Sequence, residues 1–563
     1  MKVTMTSPLF KKTIPLLFGF SLGFSGVNAA SGDNGTGPVA KKLIAAGWDS
    51  PNPEALLKNL KNIEATPFDG VLIQIDGKDE SGEKLQLRRT FNSRPWKKEW
   101  FQKDVELLKA ARSKKLTDNF LLVGPGAAID WFDDDGWKEV VDHWRIAGWI
   151  AKEGGLKGLM FDPEIGAAAL AFHYSRQAQK DKYGFNGYSE KARQRGREIM
   201  RALKETYPDM TLFTLFMNSG IALGALGSDP REGLENVQGY SLYPAFVNGL
   251  LDEIPGSMTM VDGAEYAYPH SSELQYLKHA NAIRNTTLAL VAPENHRKYR
   301  AQVHAALAIY LDAYVGFPVS DAHSDVFTDP PLEGKLVDRI QEAVASAAEI
   351  ADQYVWVWGE QYRWWPTNSV RVNPQSWDEI LPGVSEAFRE GMDPQSRAQA
   401  RAEKEFLIYE RKMRTRGDAL PNIVGNGHFT KADKAAQPLE GWSVQGAITH
   451  DPKTGYKGLG AIRMEAGGKS HVSYQAEIQP HAFYKVRART RQMGNGNPEL
   501  RVQYGDKSHV FTPVASPSGG WQVVEGIFRA PAQSEVSLVA TGEGTSGSVI
   551  WFDDVELMKV SVN

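Results

Sequence analysis

The 563-residue sequence contains no cysteine. Disulfides, thiolate nucleophiles and Cys–zinc sites are therefore excluded, whatever the redox state of the compartment. An excess of basic charge is missing too. The 64 Lys and Arg stand against 68 Asp and Glu, a formal net charge of −4, which makes nucleic acid a poor partner. No G-x-G-x-x-G follows the first strand-like run, there is no P-loop, and no G-x-S-x-G occurs beyond the first thirty residues. The usual marks of a dinucleotide fold, a phosphate cradle and an esterase elbow are thus absent. The 12 His show no H-E-x-x-H or similar spacing, which argues against a catalytic metal.

The apolar run nearest the start, "IPLLFGFSLGFSGV" (14–27), is short for a bilayer span of ~20 residues. Lys2, Lys11 and Lys12 precede it and "VNAA" (27–30) follows, so residues 1–30 read as an export signal cut near Ala29 or Ala30. The expected product is periplasmic or secreted, free of the membrane, with no lipid anchor because no Cys follows. Hydrophobic residues at 42% and charged residues at 23% are globular values, and the length calls for more than one domain.

From about residue 40, strand-like runs alternate with amphipathic helical ones. The strand-like runs are "KLIAAGWD" (42–49), "GVLIQID" (70–76), "NFLLVGPG" (119–126), "KGLMFDPE" (157–164) and "MTLFTLFMN" (210–218), followed by "SMTMVDGAEYAY" (257–268), "AYVGFPVSD" (313–321) and "QYVWVWGEQY" (353–362). Eight such repeats predict a (β/α)8 TIM barrel over residues 31–385, with a doubly wound open sheet as its rival. Residues 386–420 are charged and read as a helical linker. From 421 to 563 helix signals vanish, and short alternating segments parted by Gly, Pro and Asn predict an all-β jelly-roll sandwich.

In a barrel the loops after the strands build the site, so the strand ends are the places to look. They supply Trp48 and Asp49, then Gln74 and Asp76, then Asp162 and Glu164. Later ends supply Met217 and Asn218, Asp262 and Glu265, Asp321 and His323, and finally Trp358 and Glu360 with Trp364 and Trp365. Asp162 and Glu164 lie two apart, so a strand sends both side chains to one face, where repulsion raises one proton affinity. Such a pair suits glycosidic cleavage, an acid protonating the leaving oxygen beside an ionised carboxylate. The candidate catalytic residues are Asp162, Glu164, Glu265 and Glu360. Trp48, Asp49, Asp262, Trp358 and Trp364 are candidates for holding substrate, with aromatic faces suited to sugar rings. A rim salt bridge or helix cap is the alternative for Asp162 and Glu164. Turn roles are the alternative for Asp262 and Glu265, and a place among core Trp residues for Glu360. "DWFDDDGW" (130–137) reads as a helix cap, with a calcium loop as its alternative.

Residues 40–385 resemble the (β/α)8 glycoside hydrolases. "FDPE" (161–164) is similar to the D-x-E strand end of chitinase-like barrels, which implies Glu164 as the acid and Asp162 as its helper. Gly158 and Met160 stand where that motif carries further Asp. An α-galactosidase-like barrel is a second resemblance, implying Asp162 as nucleophile and Glu265 or Asp262 as acid. Residues 421–563 resemble jelly-roll carbohydrate-binding modules, with "NIVGNGHF" (422–429) and "SVIWFDDVEL" (548–557) as first and last strands. That resemblance implies Trp442 and Trp521 as sugar platforms and a structural Ca2+ held by Asp553 or Asp554. The combined expectation is an exported glycoside hydrolase acting on a polysaccharide or glycan, against a non-catalytic glycan-binding protein with a degenerate barrel.

Overall fold

The computed structural model describes residues 40–560, apart from 127–128, 165–170, 226–228, 238, 318–326, 329–334, 417–420, 431–438, 457–459, 466–469, 506, 514–519, 533–534 and 545–546. The export signal read over 1–30, and Asp321 and His323, lie outside the described residues. No described helix is long and apolar enough to cross a membrane. The chain divides into two compact units, residues 1–392 and 393–563.

The first unit is built on short apolar strands: β1 (Lys42–Gly47), β2 (Gly70–Ile73), a two-stranded ribbon β3 (Asp76–Lys78) and β4 (Lys84–Gln86), β5 (Phe120–Val123), β6 (Gly158–Phe161), β7 (Thr211–Thr214), β8 (Thr259–Asp262), β9 (Val303–Ala305), β10 (Leu307–Tyr310) and β11 (Tyr354–Gly359). All but the ribbon join one sheet of nine strands in the order β10-β11-β1-β2-β5-β6-β7-β8-β9, every pair parallel. Runs such as Phe120–Val123, Gly158–Phe161 and Thr211–Thr214 are buried at every residue, as strands covered on both faces must be. The two strands at the ends of the order, β9 and β10, are parted in the chain only by Ala306, so one bent stretch pairs with β8 at its start and β11 at its finish. The sheet is thereby nearly closed and barrel-like.

Close strand packing explains Gly158. A Cβ there would stand 1.9 Å from the Thr211 carbonyl oxygen on β7. Parallel register also aligns the strand ends: Val123, Phe161, Thr214 and Asp262 share one rung, and Gly47 pairs with Gly359. Whatever follows these residues emerges at a single edge.

One expected strand is corrected. "AYVGFPVSD" (313–321) is not the seventh strand: Leu311–Val315 form a 3-10 helix, and the strand lies earlier, at Val303–Tyr310. "HAALAIY" (304–310) carries too many alanines to stand out as a strand by propensity, and burial on both faces selects it instead.

The second unit contains β12 (Ser443–Gln445), β13 (Ile448–Asp451), β14 (Ala461–Glu465), β15 (His471–Glu477), β16 (Phe483–Met493), β17 (Gly496–Tyr504), β18 (Lys507–Phe511), β19 (Gln522–Arg529), β20 (Glu535–Gly544) and β21 (Val549–Lys559). They form two five-stranded antiparallel sheets, β12-β15-β20-β17-β18 and β13-β14-β21-β16-β19, around one apolar core. β16 alternates half-buried and buried residues along most of its length, the period-2 pattern of a strand covered on one face. "NIVGNGHF" is not a strand. It lies against β21 through Ile423 N–H to the Leu557 carbonyl (2.9 Å) and Val555 N–H to the Gly427 carbonyl (2.9 Å). Overlapping the start of the stretch read as a helical linker (386–420), Val384–Met392 closes the first unit. Pro394–Arg416 belongs to the second, burying Ala402 and Phe406 against Ile527, Met558 and Val560.

Candidate active site

Asp162 follows β6 directly, its N–H bonded to the Val123 carbonyl at 2.9 Å. Its side chain turns back to accept the Glu164 N–H at 2.9 Å, fixing the "DPE" turn. Glu164 in turn accepts the Tyr240 hydroxyl at 3.0 Å. Across β7, Gly263 N–H bonds the Thr214 carbonyl (2.8 Å) and Glu265 N–H the Leu215 carbonyl (3.0 Å), carrying Glu265 to the same edge. Between them Ala264 takes a left-handed φ of 52°, a strained conformation for a residue with a side chain. Asp262 braces it by accepting the Ala264 N–H at 3.0 Å.

After β11, Glu360 accepts the Trp358 indole N–H at 2.9 Å. Its own backbone N–H and that of Gln361 are held by Asp312, at 2.7 and 2.8 Å. Asp312 was not among the sequence candidates. Its signal was the strand end at Tyr310, hidden once the seventh strand was placed too late. Four tyrosines were also missed because single aromatic residues at strand ends and in turns carry no periodicity. Tyr240 bonds Glu164; Tyr268 and Tyr310 stack at 4.9 Å; Tyr266, 44% exposed, packs edge-on to Phe216.

The four candidate catalytic acids, Asp162, Glu164, Glu265 and Glu360, are thus gathered at one edge and all half-buried: crowded by protein yet open to a ligand. Crowding decides their electrostatics. Burial, then the negative charge of Glu164, pushes Asp162 up to about 8, against the pull of the Glu164 N–H and the Arg88 guanidinium. Burial raises Glu164 while the Tyr240 hydroxyl holds it down. Glu265 goes well above the carboxylate range, through burial and then the charges of Glu164, Asp162 and Glu360. Glu360 is raised by burial against the Trp358 bond, and Asp312 to about 7 by burial. This arrangement can hold protons at neutral pH beside ionised neighbours, the condition for concerted acid and base work.

Several expected substrate contacts prove to be framework. Asp49 is 3% exposed and accepts the Trp364 N–H at 2.8 Å, tying two loops together. Asp262 is wholly buried beneath the Glu265 turn. Trp364 packs its ring against Phe68 at 4.8 Å and Phe388 at 5.8 Å. Trp442 is 3% exposed, wedged between Phe429 and Tyr474, and belongs to the module's apolar core. Trp48 (37% exposed), Trp358 and Trp521 (both half-buried) remain open to a ligand.

The acids of the closing strand do not fit a calcium ion. Asp553 is 2% exposed, and its two oxygens accept the Tyr456 and Asp554 N–H groups, both at 2.6 Å. Asp554 pairs with His428 at 2.8 Å. Among the described residues no group of three or more His, Asp or Glu is placed to hold a metal.

No protein-family model matches the chain, and no curated protein matches it. Solved structures similar to part of it include TmCBM61 in complex with β-1,4-galactotriose, at 16% identity over 25% of this chain and 99% of that one, TM-score 0.20. The CBM22-1 xylan-binding domain from Paenibacillus barcinonensis Xyn10C is similar at 11% identity over 26% and 98%, TM-score 0.21. A glycoside hydrolase family 43 arabinoxylan arabinofuranohydrolase from Bacillus subtilis, in complex with cellotetraose, is similar at 14% over 20% and 24%, TM-score 0.17. Likenesses of this size carry nothing to the strand-end acids.

Proposed function

We propose that this protein is an exported glycoside hydrolase, in which a (β/α)8 barrel cleaves glycosidic bonds of a polysaccharide or glycan and a jelly-roll module accompanies it. The observation that carries the reading is the grouping of Asp162, Glu164, Glu265 and Glu360 at one edge of the parallel sheet, half-buried and raising one another's proton affinity. The barrel is supported by the continuity of β9 and β10, which leaves the sheet almost no free edge.

Roles follow from the electrostatics. The proton donor must still hold its proton when its partner has lost one. Glu265, which faces three other carboxylates, is the donor to the leaving oxygen. Glu164, whose charged form the Tyr240 hydroxyl stabilises, is the ionised partner that attacks the anomeric carbon or activates water. Asp162 orients Glu164 through its backbone N–H and, holding its own proton near neutrality, keeps a neutral hydrogen-bonding group beside the oxocarbenium-like centre. Tyr266, Trp48 and Trp358 offer aromatic faces for the flanking sugars.

The test pairs Glu265→Gln with Glu164→Gln on activated aryl glycosides and on unactivated oligosaccharides drawn from a broad glycan panel. Loss of the donor should cost ~10²-fold or more on unactivated substrates and far less on activated ones. Glu164→Gln should damage both. The reverse pattern would exchange the two roles. Wild-type turnover in both variants, or no glycan cleaved across the panel, would leave a glycan-binding protein without glycosidase activity.

A further inference from the structure

Beside the acids stands a feature they do not explain. The loop after β4 is pinned over two strand ends: Leu87 N–H bonds the Ile75 carbonyl (3.2 Å), just past β2, and Thr90 N–H bonds the Gly124 carbonyl (2.8 Å), just past β5. Arg88 lies between those pins, half-buried. In the sheet order β1-β2-β5-β6 it therefore stands between Trp48, which follows β1, and Asp162, which follows β6. Arg371 reaches the same region from the far end of the unit, its guanidinium 6.0 Å from the Trp48 ring centroid. Its loop is tied there by the Ser369 hydroxyl, which donates to the Trp48 carbonyl at 3.2 Å.

The two guanidinium groups are electrostatic neighbours that repel. Arg371 is the largest charge acting on Arg88, ahead of Asp76, Arg89 and Asp162. Neither Arg88 nor Arg371 forms an ion pair among the described residues. Two unpaired guanidinium groups held together, one of them half-buried, are an unfavourable arrangement that an added anion would relieve. Trp48, Arg371, Arg88 and Asp162 then form a continuous series along the rim: a sugar face, two fixed positive charges, and the reacting acids.

We propose that Arg88 and Arg371 form an anion-recognising subsite next to Asp162, and that the glycan taken here carries a negatively charged substituent, a uronate carboxylate or a sulfate ester. The proposal rests on the reading of the neighbouring acids as a glycan-cleaving site. Guanidinium forks match both oxyanions bidentately, so the shared chemistry is a planar or tetrahedral group of oxygens on the sugar. Such a subsite also keeps the anionic substituent away from the carboxylates, which would repel it.

Binding to the full chain, measured by titration calorimetry, tests this without requiring turnover. The probes are oligogalacturonate, oligoglucuronate, oligomannuronate and oligoguluronate, each against its carboxyl-reduced counterpart, and a galactan oligosaccharide with sulfate esters against its desulfated form. At least one charged probe should bind tenfold or more tightly than its neutral partner, with the advantage shrinking as salt rises. Which arm shows it separates carboxylate from sulfate. Arg371→Ala, at an exposed position, should remove most of the advantage and leave neutral binding unchanged; Arg88→Gln should do the same, and Arg371→Lys should restore part. Equal affinities for every charged and neutral pair, or an advantage that survives both Arg371→Ala and Arg88→Gln, would overturn the proposal. A charged preference without cleavage would instead sink the hydrolase reading and leave the subsite standing.

Discussion

"FDPE" (161–164) and "WFDD" (551–554) have the same local form, aromatic residues running into two acids, yet the two pairs are put to opposite uses. Asp162 and Glu164 leave the end of a parallel strand and face other carboxyls and tyrosines. Asp553 and Asp554 sit inside an antiparallel strand at a bulge: Arg489 pairs with Asp553 and Arg487 with Glu556, and Asp554 takes a φ of 53°. There the carboxylates collect backbone N–H groups and His428, and become fasteners. A carboxylate's task is thus set by what meets it. Donors make it structural, and other acids raise its proton affinity.

That contrast can be broken by substitution. Asp162→Asn should lose ~10²-fold or more in turnover while the melting temperature holds, since the amide replaces a carboxyl already protonated near neutrality and keeps an oxygen for the Glu164 N–H. Turnover on the most responsive glycan, with a thermal melt, checks both halves. Asp553→Ala should do the opposite, lowering stability by about 1 kcal/mol in a urea titration by leaving the half-buried Tyr456 and Asp554 N–H groups without this acceptor, with turnover per folded molecule unchanged. Destabilisation by Asp162→Asn, or catalytic loss by Asp553→Ala, would erase the distinction.

A pH series sharpens it further. Folded Asp162 holds its proton up to about 8, whereas the unfolded chain releases it near 3.8. Between those values the folded state binds the extra proton, so this group's contribution to stability is full below about 4 and is lost as pH rises toward 8. Stability measured by denaturant across that window should fall less steeply in Asp162→Asn than in the wild type. An unchanged slope would show that Asp162 is ionised throughout. The smallest effect belongs to Tyr240→Phe. Removing the hydroxyl that favours ionised Glu164 should move the acid limb of the pH–rate profile upward by a fraction of a unit to one unit, with a severalfold loss near neutrality. A profile that does not move would remove Tyr240 from the role given to it.

Much of the architecture was legible because its causes are local. Apolar runs alternating with amphipathic ones announced the parallel strands, and "KGLMFDPE" located both strand and acids, since a run buried on both faces has to be apolar throughout. The strand at Val303–Tyr310 was not legible, because its alanine-rich middle has no strand signature of its own and is extended only through pairing with β8 and β11. Asp312 was lost with it.

By itself, then, the sequence determined the two-part organisation, most of the strands and the residues Asp162, Glu164, Glu265 and Glu360 as acids at strand ends, because periodicity and strand termini are properties of neighbouring residues. Only the tertiary structure decided which acids work together, which of Asp49, Asp262, Asp553 and Asp554 are braces, and that Trp442 fills a core. It also placed Arg371 beside Arg88. Those outcomes depend on groups far apart in the chain, brought within reach of each other's charge and hydrogen bonds only when the sheet curls toward closure.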